Sequence, residues 1–235
     1  MMIGEGIKSI DVDMPKDVYD TNKQIPTFNA YLTIIVRDSE GKIIRVHKQQ
    51  SHSPTANFMW LLLPLTYYKN TGNTFTITNT GGGTCSYQLG NTSINTYISY
   101  PNSYYNTNQT TNLVMIQVGS GSQSNPYNAH SLAAPIANGS GTGQLIYGTP
   151  STSSNITASG ASAYFYITQA FNNQTSGTIT ITEVGILLMI TLINYGISSA
   201  SNCGNVLMWY DVLSSSISVP AGGSVTITYT FTVNP

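Results

Sequence analysis

The chain has 235 residues, of which 7% are charged and 40% hydrophobic, and its formal net charge is -1. Globular proteins carry about 25% charged residues, and disordered chains combine low hydrophobicity with high net charge. The composition therefore excludes disorder and predicts a folded protein with a neutral surface. Every Lys and Arg lies at or before Lys69, and from residue 70 onward the formal charges are Glu183 and Asp211. The basic residues are too few to bind nucleic acid through its phosphates.

Residues 1–26 differ in composition from the rest and are predicted to form an N-terminal arm that contacts a neighbouring molecule. The arm contains four closely spaced aspartates, Asp11, Asp13, Asp17 and Asp20. The turn glycine and the terminal Glu of a calcium loop are missing, so a solvated face is the preferred interpretation. The arm also lacks the apolar stretch of a secretory signal.

From Thr27 the sequence alternates and predicts one all-β domain over residues 27–235. Residues 27–48 predict a hairpin around a turn at residues 38–41. One helix is predicted at about residues 54–63, capped by Ser53, started by Pro54 and stopped or kinked by Pro64. Because this segment is apolar nearly all round, we expect the helix to be buried against a sheet.

The remaining chain predicts short strands between Gly, Asn and Ser turns. The segment "FNNQTSGTITITEVGILLM", residues 171–189, predicts two strands around a Ser-Gly turn, and residues 194–205 predict a loop. Alternation predicts inward-facing apolar residues and outward-facing threonines near the end of the chain; the inward residues are Ile179, Ile181, Val225, Ile227, Tyr229 and Phe231. About ten such strands predict a β-sandwich, either jelly-roll or Ig-like.

Groups able to perform acid-base chemistry are scarce. Glu183 and Asp211 are the one carboxylate pair in the body of the chain, and a glycosidase needs two. A structural role, in which each carboxylate accepts hydrogen bonds from backbone amides or stabilises a turn, is preferred over a catalytic pair. The histidines His47, His52 and His130 lack metal-binding spacing, and no nucleophile elbow, phosphate loop or dinucleotide fingerprint occurs. We therefore expect no catalytic residue, no metal and no cofactor.

Cys85 and Cys203 lie far apart in the sequence. They can close a long loop as a disulfide, or they can be two small buried side chains. Spacing alone does not decide between these alternatives, but it excludes a zinc knuckle.

Two polar features suggest an outer surface. The first is a set of N-glycosylation sequons, about as many as chance would give in so Asn-rich a chain, at Asn91, Asn108, Asn138, Asn155 and Asn173. The second is the polar loop of residues 91–112, which carries Tyr97, Tyr100, Tyr104 and Tyr105. Tyrosines among small polar residues are typical of binding loops, but the same loop can pack on a neighbouring subunit.

Several segments occur in a recognisable order. They are "GKIIRVHKQQSHSPTANFMWLLLPL", "MIQVGSGSQSNPYNAHSLAAPIANG", "QLIYG", "FYITQAFNNQTSGTITITEVGILL", "LMWYDVL" and "ISVPAGGSVTITYTFTV". Over roughly residues 30–235 this succession resembles a loose family of virion proteins of tailed phages and archaeal viruses, of the tail-fibre or particle-surface type. The chain departs from that family at Tyr210, where a basic residue is usual, and in the neutral loop near residue 120. The resemblance implies a particle protein and supplies no catalytic residues.

Taken together, the sequence predicts a virion structural protein that self-assembles in a capsid, turret, tail or fibre. Its partners would be copies of itself, other virion proteins and host surface glycans. Residues 184–193, the longest apolar run, are about half the length that crosses a bilayer, so we expect assembly in the host cytoplasm and no membrane insertion. The alternatives are a receptor- or glycan-binding spike tip that uses the tyrosine loop, and a subunit of an extracellular pilus-like filament. An enzyme built on Glu183 and Asp211 ranks last.

Overall fold

The computed structural model describes residues 27–51, 53–66, 74–88, 114–153, 155–160, 162–193 and 200–234. One α-helix, α1, spans Ala56–Thr66 in this part of the chain. The strands are, in chain order, β1 Thr27–Arg37, β2 Ile43–Ser51, β3 Thr74–Thr78, β4 Thr84–Gln88, β5 Val114–Gly119, β6 Ile146–Tyr147, β7 Ser151–Thr152, β8 Thr157–Ser159, β9 Ser162–Asn172, β10 Ile179–Ile193, β11 Ala200–Val219 and β12 Ser224–Asn234. The predicted arm, residues 1–26, lies outside the described residues.

Two sheets form the body of the protein. The larger is a seven-stranded sheet in the order β2-β1-β12-β9-β6, with β7 and β8 also paired to β9, and the smaller is a three-stranded sheet in the order β11-β10-β5. Strands β3 and β4 form a separate hairpin. The predicted all-β sandwich is confirmed, as is the hairpin of β1 and β2.

The core lies between the two sheets and follows from strict alternation along the strands. In β12, Val225, Ile227 and Tyr229 are fully buried, while the intervening threonines are only partly covered. Ile181 of β10 is likewise fully buried and faces them from the other sheet. The prediction of an apolar inner face and a threonine outer face is therefore confirmed.

The segment of residues 171–189 forms two strands, as predicted, but they belong to different sheets. Strand β9 pairs with β12 in the seven-stranded sheet, whereas β10 pairs with β11 and β5 in the three-stranded sheet. The short turn between them therefore carries the chain from one layer of the sandwich to the other. Such a crossing does not depend on local sequence, because strand pairing is decided by distant residues.

The loop predicted at residues 194–205 is wrong for residues 200–205, which begin the long strand β11. They pair with the far end of β10, with Ile193 opposite Ala200 and Ile190 opposite Gly204. The register shifts next to Gly204, whose φ is +72°, and a glycine accommodates such a bulge without steric cost. Local Gly and Asn residues suggested a loop, but pairing with β10 overrides that preference.

The helix differs from its prediction in both position and burial. Pro54 forms a β-bridge with Trp209 and is therefore not helical. The N–H of Phe58 donates to the carbonyl of Thr55 at 3.1 Å, so the helix begins at the next residue, Ala56. Thr55 therefore occupies the cap position predicted for Ser53, and the helix continues through Pro64 to Thr66. It is not buried all round: Met59 is 48% and Trp60 40% exposed.

One face of α1 is nevertheless firmly attached to the sandwich. Phe58 packs edge-on against Trp209 with the ring centroids 5.6 Å apart. The buried Asn57 accepts the N–H of Thr78 at 3.0 Å and donates to the carbonyl of Thr78 at 2.9 Å. The side-chain amide of Asn57 thus pairs with β3 as a neighbouring strand would.

Candidate interaction surface

Glu183 is a fully buried carboxylate on the outer face of the three-stranded sheet, underneath the chain segment of residues 120–134. Its Oε1 accepts the N–H groups of Gly121 at 3.1 Å and Ala134 at 2.7 Å. Its Oε2 accepts the N–H of Ala133 at 3.0 Å and the hydroxyl of Tyr210 at 2.6 Å. This arrangement holds a loop on a sheet and satisfies the charge with four donors.

The close approach of this loop depends on glycine. A Cβ added to Gly119 would lie 2.7 Å from the carbonyl oxygen of Ala134, and one added to Gly121 would lie 2.7 Å from the Cβ of Ala133. No side chain other than hydrogen fits at either position without displacing the loop. The sequence suggested only a turn at this glycine-rich stretch, and the partnership with Glu183 was not predicted.

Asp211 is buried between the two sheets and binds side-chain hydroxyls. Its Oδ2 accepts the hydroxyls of Ser51 at 2.5 Å and Tyr229 at 2.8 Å. Ser51 in turn accepts the indole N–H of Trp209. Burial, followed by the charge and the hydrogen bond of Asp211, raises the pKa of Tyr229 well above its ordinary value. The network links β2, β11 and β12.

Glu183 and Asp211 lie on opposite faces of the three-stranded sheet. Val184 pairs with Asp211 and Gly185 with Tyr210, so Asp211 shares a face with Val184, whereas Tyr210 and Glu183 share the other face. The two carboxylates thus bind separate groups of donors. A glycosidase requires its two carboxylates to flank one bond, and this pair does not have that geometry.

Glutamine side chains join the two sheets along both sides of the sandwich, which the sequence analysis did not predict. At one edge, Gln49 of β2 accepts the N–H of Ser214 at 3.0 Å and donates to the carbonyl of Val212 at 3.2 Å. At the other edge, the buried Gln169 of β9 accepts the N–H of Ile116 at 2.7 Å and donates to the carbonyl of Gly148 at 2.9 Å. Each amide replaces a strand-to-strand hydrogen-bond pair.

The histidines do not form a common site in the described residues. His47 lies on β2 and shares a hydrogen bond of 3.0 Å with Gln49. His130 is exposed in the loop over the three-stranded sheet, and His52 lies outside the described residues. Across the described ranges, no group of three or more His, Cys, Asp or Glu side chains could hold a metal ion.

Cys85 and Cys203 form a disulfide in the structure, with their Cα atoms 5.7 Å apart. The bond links β4 to β11 across a sequence separation of 118 residues. Cys203 is buried and packs with Ile77, Ile190 and Val206 in a second apolar cluster under the hairpin of β3 and β4. The disulfide therefore attaches this hairpin to the end of the sandwich.

The sequon asparagines have very different environments. Asn173 is 1% exposed, and its Nδ2 donates to the carbonyls of Gly177, Val219 and Pro220. Because N-glycans attach to Nδ2, the prediction of glycosylation at Asn173 is wrong; this side chain stabilises the turn between the two sheets. Asn138 and Asn155 are exposed. Asn91 and Asn108 lie outside the described residues, as do the contact-loop residues Tyr97, Tyr100, Tyr104 and Tyr105.

From residue 74 onward, the described part of the chain exposes no formal charge, because its two acids are buried. Glu183 is 0% and Asp211 3% exposed, and they are the formal charges that follow residue 70. Over the described residues from 74 to 234, no exposed side chain of Lys, Arg, Asp or Glu therefore occurs. This uncharged surface, together with the edge strand β2, is the candidate interaction surface.

The outer face of β1, β12 and β9 adjoins this surface. Three rows of side chains run across it, namely Tyr31-Thr230-Tyr166, Thr33-Thr228-Thr168 and Ile35-Thr226-Ala170. The hydroxyls of Thr168 and Thr228 lie 2.8 Å apart. Within these three strands, Arg37 is the one charged side chain on the face. Apart from Arg37, at its end, such a face offers polar but uncharged contact area.

Strand β2 forms one edge of the seven-stranded sheet and carries three half-exposed aliphatic residues. Ile43 is 50%, Ile44 51% and Val46 53% exposed. The intervening Arg45 is turned toward β11, where it donates to the carbonyl of Ser216 at 2.7 Å. The strand therefore presents exposed aliphatic side chains beside the exposed Lys48.

No described helix is long and apolar enough to cross a membrane. Comparison of the chain with protein-family models, with curated proteins and with solved structures found no match.

Proposed function

We propose that this chain is a structural subunit of a virus particle, in its capsid, turret, tail or fibre, and that it works by self-association. One observation carries the proposal: the described surface from residue 74 to residue 234 exposes no formal charge. Charge repulsion is what commonly keeps soluble proteins apart. A protein without it is suited to permanent contact with neighbours, and the sequence resemblance to virion proteins agrees.

Among the described strands, β2 has a neighbour on one side only, and its other side provides a specific place for such contact. An edge strand has unpaired N–H and C=O groups that can pair with a strand of another molecule. The aliphatic residues Ile44 and Val46 would be covered in the same step, which adds a hydrophobic contribution to the backbone hydrogen bonds.

The outer face of β1, β12 and β9 provides a second contact area. Covering threonine and tyrosine side chains does not require the desolvation of ions, which is the main cost of burying a charged surface. Tyrosine is also enriched in protein interfaces. Tyr31 and Tyr166, which are 42% and 36% exposed, are the large side chains of this face.

The buried carboxylates support a role in contact over one in catalysis. Both Glu183 and Asp211 are engaged by donors within the fold, on opposite faces of one sheet. A purified preparation that turned over a substrate, with the activity abolished by Glu183→Gln or Asp211→Asn in correctly folded protein, would contradict this part of the proposal.

The proposal is tested by electron microscopy and light scattering on the purified full chain at increasing concentration. We expect rings, shells or filaments. The double variant Ile44→Lys/Val46→Lys places two charges on the β2 edge and should shift the distribution toward the monomer. Ile156→Lys, at a position that is 70% exposed away from this edge, is the matched control and should assemble as the unmodified chain does.

A protein that stays monomeric at every concentration would overturn the proposed function. Assembly that is unchanged in Ile44→Lys/Val46→Lys would instead remove β2 from the contact and leave the outer face of β1, β12 and β9 to be tested with Thr228→Lys.

A further inference from the structure

An apolar groove of about 200 Å³ lies at the end of the sandwich where β1 begins and β12 ends. Phe28, Phe165 and Phe231 line it from the seven-stranded sheet. Ile186 and Trp209 line it from the three-stranded sheet. Every described residue of the lining has an apolar side chain. A charged or polar ligand would therefore lose its hydration in the groove without gaining a partner.

The residues at the mouth of the groove belong to the inner face of the sandwich but are exposed. By alternation, Phe28 lies on the same face of β1 as the buried Ala30 and Leu32, and Val233 lies on the same face of β12 as the buried Phe231. Phe28 lies opposite Val233 in the pairing of these strands. Even so, Phe28 is 56% and Val233 42% exposed. Clustered apolar surface of this kind marks a contact site.

The N-terminal arm joins the body at this same end. Strand β1 pairs with β12 from its first residue, Thr27 opposite Asn234, so the arm of residues 1–26 is attached one residue before Phe28. Residues 15–26 span about 40 Å when extended, which is enough to carry residues 10–14 to the groove of a molecule that faces this end. Two copies that meet in this way can exchange their arms reciprocally about a two-fold axis.

The sequence of residues 10–14, Ile-Asp-Val-Asp-Met, matches the chemistry of the groove. As an extended strand it has three apolar side chains on one face and two aspartates on the other. The apolar face can enter a groove without polar groups while the aspartates stay in water, so the contact needs no ion pair. We propose that residues 10–14 of one molecule bind in the groove of a neighbouring copy. This inference rests on the proposed self-association and names a segment that makes one of its contacts.

The test is disulfide cross-linking between two full-length variants mixed in equal amounts. Val12→Cys places a thiol on the arm and Val233→Cys places one at the mouth of the groove, while the two native cysteines are bonded to each other. We expect mild oxidation to give a dimer whose linked peptides, identified by mass spectrometry, contain residues 12 and 233. Ser39→Cys, in the exposed turn at the other end of β1, replaces Val233→Cys in the matched control. It should give about tenfold less dimer, because only bound thiols have a high effective concentration.

A second measurement uses no added cysteine. Val12→Asn removes one apolar side chain from the proposed contact and should weaken association of the full chain by about tenfold or more in sedimentation equilibrium. Val18→Asn makes the same change in the arm outside residues 10–14, and it should associate as the unmodified chain does. Equal association constants for the two variants would contradict the inference.

The inference is also overturned if the assembled mixture gives no link between residues 12 and 233, or if Ser39→Cys gives as much dimer. A third contrary result is a link that forms only within single chains of the double variant Val12→Cys/Val233→Cys, since the arm would then occupy its own groove. Light scattering on the same samples separates the two proposals. Assembly without the link refutes the arm contact alone, whereas a chain that stays monomeric refutes the proposed function as well.

Discussion

At the scale of single residues, Glu183 bonds the loop of residues 120–134 to the three-stranded sheet. It is fully buried, and its two oxygens receive four hydrogen bonds from the loop of residues 120–134 and from Tyr210. These bonds fix the position of the loop together with others, such as the bond of 2.7 Å that the hydroxyl of Thr182 donates to the carbonyl of Gly121. Burial, with smaller contributions from Glu183, raises the pKa of Tyr210 far above its ordinary value and keeps this donor protonated.

We predict that Glu183→Gln lowers the free energy of unfolding by about 1–3 kcal/mol, because the new amide opposes the N–H of Ala133 with another donor and the charge-assisted bonds are lost. Urea unfolding at one protein concentration measures the change. Glu40→Gln, in the exposed turn between β1 and β2, is the control and should stay within about 0.5 kcal/mol of the unmodified chain. Equal effects of the two substitutions would contradict the prediction.

A second prediction at this scale concerns alkaline pH. Burial raises the pKa of Tyr147 to about 12, while tyrosines of the unfolded chain ionise near 10. The folded state therefore retains a proton that the unfolded state loses. This difference leaves the free energy of unfolding unchanged below about pH 10. As pH rises further, ionisation favours the unfolded state, and the free energy of unfolding falls by about 2 kcal/mol at pH 12.

Urea unfolding between about pH 8 and pH 12 measures this decline. Tyr147→Phe removes the ionisable group, so its stability should fall less steeply over the same range, even though it starts lower because the hydrogen bond to Ile136 is lost. Parallel pH profiles for the two proteins would show that Tyr147 does not cause the decline.

At the scale of elements, glutamine side chains join the two sheets along both sides of the sandwich. Gln169 joins β9 to β5 in a buried setting, and Gln49 joins β2 to β11 in an exposed one. Between Ile181 and Glu183 the register of β10 against β11 shifts, and residues 213–216 leave that pairing. The side chains of Gln49 and Arg45 bind backbone groups of these unpaired residues.

We predict that Gln169→Met destabilises the protein by about 2 kcal/mol, because the N–H of Ile116 and the carbonyl of Gly148 would lose their partner in a buried place. Gln49→Met should cost less than about 1 kcal/mol, since water can replace its bonds. Thermal and urea unfolding of both variants provide the comparison. If Gln49→Met destabilised the protein more than Gln169→Met, burial would not explain how much each glutamine contributes to stability.

The disulfide between Cys85 and Cys203 leads to another prediction about elements. A cross-link over 118 residues restricts the unfolded chain strongly, so Cys85→Ala/Cys203→Ala should lower the free energy of unfolding by about 2–5 kcal/mol. Reductant should lower the stability of the unmodified chain to a similar level and leave the variant unaffected. A stability that does not respond to reductant would show that the two cysteines are not bonded in solution.

The whole molecule has an uneven distribution of charge. All Lys and Arg residues lie at or before Lys69, and the described residues from 74 onward expose no formal charge because Glu183 and Asp211 are buried. Association through this surface would depend on backbone pairing at β2, apolar burial and uncharged polar contacts. None of these is screened by salt.

We therefore predict that the assembly state is the same in about 0.05 M and about 1 M NaCl, where the screening length differs severalfold. Light scattering on the full chain at fixed concentration measures the state, and Ile44→Lys/Val46→Lys serves as a comparison in which added charge should introduce salt dependence. Dissociation of the unmodified assembly by salt would assign the contact to the charged N-terminal part of the chain.

The amino-acid sequence by itself determined that the chain forms strands with one apolar face, because alternation is a local property. The pattern around Ile181 and Val225 specifies which side chains face inward, and the turn of Gly222, with φ of +70°, follows from glycine alone. The sequence also favoured a structural role for the two lone acids as acceptors from backbone amides; Glu183 has that role, whereas Asp211 accepts the hydroxyls of Ser51 and Tyr229.

Only the tertiary structure decided how distant segments combine. It placed β9 and β10 in different sheets, extended β11 into a predicted loop, exposed Met59 and Trp60 on the helix and buried the sequon residue Asn173. It also brought Gln169 to Ile116 and left Phe28 beside an apolar groove. These outcomes depend on contacts between residues far apart in the chain, and no local pattern of side chains encodes which distant partner will complete a hydrogen bond or cover a surface.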